Sequence, residues 1–169
     1  MKETAGDILA PGLDVLFCGL NPPPSVGEGG YAFATASNRF WRVLHLSGFT
    51  PRRLEPAEER LMLDFRCGLT VAVRRPTKSA SEVSKREFVD ARPDLEATIL
   101  RYRPRAIAFL GKAAIAAMSG TRNVAWGRQP RAFAEAAAWV LPNPSGLNRS
   151  FSLSDLVAAF RTLREDLAP

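Results

Sequence analysis

Four short apolar runs punctuate the chain: DVLFCGL (14–20), CGLTVAV (67–73), AIAFLG (106–111) and AAWVLP (137–142). Each is continuous rather than alternating and too short for a helix core, the pattern of a strand buried on both faces. Between them the apolar spacing turns helical. SNRFWRVLHLSG (37–48) is predicted to start on a capping Ser37 and to stop near Gly48, and EPAEERLMLDFR (55–66) carries Pro56 where a first helical turn tolerates it. RPDLEATILRYRP (92–104) and GKAAIAAMSG (111–120) follow, the second ending at Gly120. The last segment, SLSDLVAAFRTLREDLA (152–168), places Leu153, Leu156, Val157, Phe160, Leu163 and Leu167 on one stripe, with Ser152 and Asp155 spaced as a capping box. Strand and helix alternate throughout. The expected fold class is therefore α/β, with a mostly parallel central sheet flanked by helices on both faces. No linker or shift in composition divides residues 1–169, so one domain is expected.

Open α/β sheets bind ligands beyond the carboxyl ends of their strands. Two such ends here run into Asn-Pro: GLNPPPS after the first strand and LPNPSGLNRS (141–150) after the last. A residue before proline is pushed out of the α region, and each proline fixes its own φ, so Asn21 ahead of three prolines is held stiffly and its side chain is aimed. One Asn-Pro after a strand is an ordinary turn. Two of them, each closing a buried strand, mark a candidate site.

Composition adds two constraints. Cys18, Cys67 and the single histidine, His45, are too few and too scattered for a disulfide framework, a zinc site or a four-cysteine iron-sulfur cluster; reduced core thiols are expected, and chemistry without metal or cofactor. The 23 Lys and Arg against 17 Asp and Glu leave a net charge of +6, which points to a polyanionic partner. Arg39, Arg42, Arg52, Arg53, Arg74, Arg75, Arg128, Arg131 and Arg149 fall in or beside expected loops and helix starts, where guanidinium forks suit phosphate oxygens. No apolar run approaches the ~20 residues of a membrane span. The opening MKETAGDILAPG lacks the basic-then-apolar layout of a secretory leader, so a cytoplasmic location is expected.

The segments DILAPGLDVLFCGLNP, SNRFWRVL, GFT, DFRCGLT, RPT, EVSK, LGK, WG and WVLPNPSGLNR together span nearly the whole chain. In this set the sequence resembles the mismatch-specific uracil-DNA glycosylases, bacterial relatives of thymine-DNA glycosylase. The GLNP and NPSGL pair at opposite ends is the specific part. The resemblance implies a small monomeric domain that excises uracil or related bases from double-stranded DNA, preferentially opposite guanine. It makes Asn21 the catalytic asparagine that orients the attacking water. Backbone groups near Leu20 and before Phe33 would meet the uracil oxygens, and Phe33 would stack on the flipped base. SGLNR becomes a wedge: Leu147 fills the vacated stack, Gly146 and Asn148 face the widowed guanine, and Arg149 binds phosphate or guanine. Asn148 stands where the family commonly has serine. Asn143 bonds either the loop backbone or the base.

FVDARPD places Asp90 and Asp94 where relatives often carry a small, glycine-rich junction into the next helix. An aspartate there would ordinarily cap the helix, and Asp90 is also a candidate for an accessory catalytic role. Two rival readings share these residues. One is a domain that binds mispaired or damaged DNA without cutting; the other is an N-glycosidase of small nucleosides, which needs neither a wedge nor a basic face.

Overall fold

The computed structural model describes residues 6–169, so the opening MKETA, part of the segment read for a leader, lies outside the described residues. The chain forms β1 (Val15–Gly19), a single turn α1 (Pro24–Gly27), α2 (Phe40–Leu46), a 3-10 helix (Pro56–Phe65), β2 (Cys67–Val71), α3 (Lys85–Tyr102), β3 (Ala106–Leu110), α4 (Ala113–Ser119), β4 (Gly127–Arg128), β5 (Ala137–Leu141) and α5 (Leu153–Leu167). The four apolar runs are the four parallel strands. Sheet order is β2-β1-β3-β5-β4, with β4 antiparallel on the far edge. The chain leaves β1 in one direction for β2 and returns to β1's other side for β3, so the topological switch lies between the carboxyl ends of β1 and β3.

Alternate residues of the strands point into two cores. Val15, Phe17, Ala106, Ala108, Trp139 and Leu141 meet Phe40, Leu44, Leu156, Phe160 and Leu163 of α2 and α5. Leu16, Cys18, Ile107, Phe109, Ala138 and Val140 meet Phe88, Leu95, Ile99, Ile115 and Met118 of α3 and α4. Helices thus cover both faces of one α/β domain. Ile8 exchanges two backbone hydrogen bonds with Leu69, shielding the outer edge of β2. The approach is close enough that any Cβ on Gly68 would sit 2.6 Å from the Ile8 carbonyl oxygen. Burial pushes the thiols of Cys18 and Cys67 up to about 12, and both are unpaired core residues. Among the described residues no helix is long and apolar enough to cross a membrane.

Two helix starts and one helix type differ from the sequence pattern. Ser37 does not cap α2: Arg39 is the N-cap residue, and the Phe40 N–H is taken by Asn38 Oδ1 at 2.9 Å. The segment at 56–65 winds as a 3-10 helix that ends on left-handed Arg66. The helix expected to begin near Arg92 begins at Lys85 and runs through Pro93. Its start is a capping box, with Ser84 Oγ accepting from Glu87 N–H and Glu87 accepting from Ser84 N–H. Phe88 is buried and anchors that first stretch, while the break in the ladder at Pro93 falls opposite exposed Val89. Asp90 and Asp94 therefore lie within α3 and cap nothing. The carboxylate of Asp90 pairs with Arg86 one turn earlier at 3.0 Å, both side chains exposed.

Candidate active site

β1 ends in Gly19 and the chain passes through Leu20 to Asn21, whose side chain is gripped by a strap that follows β2. Asn21 Nδ2 donates to the Arg75 carbonyl at 3.0 Å and to Thr77 Oγ1 at 2.7 Å, with a longer contact of 3.5 Å to the Pro22 carbonyl. Carbonyls only accept, so this end of the amide must be the nitrogen. Among the described residues no protein donor reaches Oδ1, which is left to accept from a guest.

The strap itself is pinned. Thr77 is buried; its hydroxyl donates onward to the Ser79 carbonyl at 2.7 Å and its N–H to the Pro22 carbonyl at 3.2 Å. Arg75 forks onto Glu87 at 2.6 and 3.1 Å. The guanidinium, followed by the backbone N–H of Ser84, lowers the Glu87 carboxyl from its ordinary 4.5 to about 2. A carboxyl whose folded value is depressed contributes stability that is full above its unfolded value and is lost as the pH falls towards the folded one. Between pH 4.5 and about 2 the wild type is therefore expected to lose more thermal stability than Glu87→Gln, whose side chain does not titrate. Parallel melting curves for the two across that window would refute this pairing.

Phe33 sits after the glycine-rich loop. Ala32 just before it is fixed at both backbone groups, its N–H by Glu59 Oε2 at 2.8 Å and its carbonyl by Trp41 Nε1 at 3.0 Å. Phe33 adopts a left-handed backbone (φ 54°), uncommon for an aromatic residue and the kind of strain that persists at functional sites. Its half-buried ring lies 4.2 Å from that of Phe40, inclined by 30°, and edge-on to Trp41.

The second Asn-Pro loop arrives from β5. Asn143 Oδ1 accepts from Ser145 N–H at 2.9 Å and the Asn143 carbonyl accepts from Asn148 Nδ2 at 2.9 Å, so the backbone half of the expectation for Asn143 is present. Because Oδ1 is thereby identified, Nδ2 is the end that bonds no acceptor among the described residues. A Cβ on Gly111, the residue that follows β3, would meet Asn143 Nδ2 and the Leu20 side chain at 3.9 and 4.0 Å. Leu20 after β1 and Asn143 after β5 therefore meet beside Gly111 at the end of β3, at the topological switch. Leu147 crowns the loop at 80% exposure, and its N–H is held by Ser145 Oγ at 3.2 Å. Gly146 presses against Ser37, where an added Cβ would stand 2.5 Å from Ser37 Cβ. Arg149 is exposed.

The arginines divide. Arg52, Arg74, Arg75 and Arg128 are tied up by Glu58, Asp7, Glu87 and Asp166, and Arg39 points at backbone carbonyls. Arg42, Arg53, Arg131 and Arg149 are exposed and make no ion pair within the described residues. Among the described residues no cluster of three His, Cys, Asp or Glu side chains could hold a metal ion. Sequence reasoning missed the residues that hold the site rather than form it: Arg75 and Thr77, Glu59 and Trp41, and the inward role of Arg39. Arg75 and Thr77 lie in RPT, and Arg39 and Trp41 in SNRFW, whereas Glu59 lies in EPAEER and carries no local mark.

The switch point of this α/β domain thus carries a gripped amide on the loop after β1 and an exposed leucine on the loop after β5. The family model for the uracil-DNA glycosylase superfamily matches residues 7–168, and the chain belongs to that superfamily. Its members are DNA N-glycosylases, hydrolases directed at uracil-type lesions in DNA.

Proposed function

We propose that the chain is a monomeric, monofunctional glycosylase of the mismatch-specific kind, which flips uracil out of double-stranded DNA, preferentially opposite guanine, and leaves an abasic site. One observation carries the reading: the loops after β1 and β5, which carry the gripped amide of Asn21 and the exposed Leu147, meet at Gly111 through Leu20 and Asn143.

In the reaction, the bond from the sugar C1′ to the base nitrogen breaks with its electron pair on the base, and a water oxygen bonds to the oxocarbenium-like C1′ from the opposite face. Asn21 Oδ1 accepts from that water and sets its direction; an amide is too weak a base to remove the proton early, so its contribution is orientation, and the proton leaves the water only after the C1′–O bond forms, neutralising the departed base anion directly or through solvent. Electrostatic support for the departing base anion comes from backbone N–H groups near Leu20 and Phe33 and from Asn143 Nδ2. Phe33 offers its free face to the extruded base, the other being backed by Phe40. Extrusion costs a few kcal/mol, which Leu147 offsets by filling the gap, while Gly146, Asn148 and Arg149 face the unpaired guanine and its strand. An accessory part for Asp90 would have to act from an exposed carboxylate already paired with Arg86; unchanged excision by Asp90→Asn would remove it.

The test is a duplex carrying U opposite G, incubated with the protein and treated with alkali to cut at abasic sites. Strand cleavage well above that of a U:A duplex supports the reading. Binding without cleavage supports the non-catalytic rival, and turnover of free deoxyuridine with an inert duplex supports the small-molecule N-glycosidase. With about four to six phosphate contacts, the logarithm of duplex affinity is expected to fall against log salt with a slope of about −4 to −5. A slope near zero would remove the duplex as substrate.

A further inference from the structure

The guanidinium of Arg39, which the sequence pattern groups with phosphate-binding arginines, is turned inward. Nη1 donates to the Phe151 carbonyl at 2.8 Å, Nη2 to the carbonyls of Asn148 and Ser145 at 2.9 and 3.1 Å, and Nε to that of Pro144 at 3.4 Å. Its backbone N–H also donates to the Pro144 carbonyl, at 3.0 Å. Pro144 and Ser145 enter the loop that carries Leu147, and Asn148 and Phe151 leave it. One rigid, planar fork thus fixes the spacing of the two limbs on either side of the wedge. The next residue, Phe40, backs the Phe33 ring, so the same helix start supports both the wedge and the aromatic that would receive the base.

We propose that Arg39 is the positioning residue of the wedge: it touches no DNA and acts by holding residues 144–151 so that Leu147 is presented at one fixed height above the strand ends. The proposal rests on the wedge reading given above. A lysine at this position keeps the charge but cannot span four carbonyls, which separates positioning from phosphate binding.

The experiment compares Arg39→Lys and Arg39→Met with wild type in single-turnover excision of uracil from a U:G duplex and from a single strand, together with the salt dependence of duplex affinity. Both variants are expected to lose about 10-fold or more on the duplex, in line with a misplaced reacting or inserting group, and to change little on the single strand. The salt slope should stay at the wild-type value in both. Either loss should be absorbed when combined with Leu147→Ala, because the two act through one element. A salt slope reduced by about 0.9 in Arg39→Met with near-normal Arg39→Lys would make Arg39 a phosphate ligand and overturn the proposal. Equal loss on both substrates with a lowered melting temperature would do the same by making the residue purely structural. If Leu147→Ala alone spares the duplex, the wedge reading itself fails; if Leu147→Ala is duplex-selective and Arg39→Lys is normal, only the role of Arg39 fails.

Discussion

Asn21→Ala is expected to lower uracil excision by about 10² or more while leaving duplex affinity near the wild-type value. The substitution removes the one side chain at the end of β1 whose acceptor end is unengaged, and it disturbs no core contact, since Asn21 is only half-buried. Two of its three partners stay paired without it, since the Thr77 hydroxyl still donates to the Ser79 carbonyl and the Thr77 N–H to the Pro22 carbonyl, while the Arg75 carbonyl loses its side-chain donor. Thr77→Val keeps the volume but deletes the acceptor 2.7 Å from Asn21 Nδ2, so it should give a smaller loss of the same kind, and none in addition when combined with Asn21→Ala. Single-turnover rates at saturating enzyme, alongside equilibrium binding of an uncleavable duplex, read the two quantities separately. Near-normal excision by Asn21→Ala would move the water to another group, with Asp90 next in line.

Leu147→Ala tests the duplex requirement. Burying a leucine side chain is worth about 1.5–3 kcal/mol, so losing the insertion should slow excision from a stable duplex by roughly 10- to 100-fold. Little stacking has to be replaced in a single strand, and excision there should barely change. With 80% of its surface exposed, Leu147 contributes nothing to the core, and the melting temperature is expected to stay put. Equal losses on both substrates would place the side chain in the pocket. No loss on either would leave SGLNR an ordinary loop.

The parallel strands were legible because they are buried on both faces and so appear as unbroken apolar runs. β4 was not: Gly127–Arg128 is two residues long, on an edge, and shows no periodicity. The first turns of α3 were hidden because Pro93 reads as a helix start, although Ser84 and Glu87 carried a capping box that gave the true one. In the site, Asn21 and Asn143 could be picked out since a strand running into Asn-Pro leaves a local mark, whereas Leu147 stood out only through the family resemblance. Their supports could not. The strap lies 54 to 56 residues from Asn21, and the carbonyls on Arg39 are 105 to 112 residues away, so those contacts exist only once the strand order is known.

Every group gripping the Asn21 side chain is an oxygen that accepts: the carbonyls of Arg75 and Pro22, and a Thr77 hydroxyl whose proton is committed to Ser79. An ionised aspartate in that seat would face lone pairs where the amide presents hydrogens, and could settle only by keeping its proton. The seat therefore selects for an amide and against a carboxylate base. In the reaction proposed above, with no strong base at the end of β1, the pace of hydrolysis would fall to how readily each base departs as an anion, and the choice of lesion would rest partly on the acidity of the lesion itself.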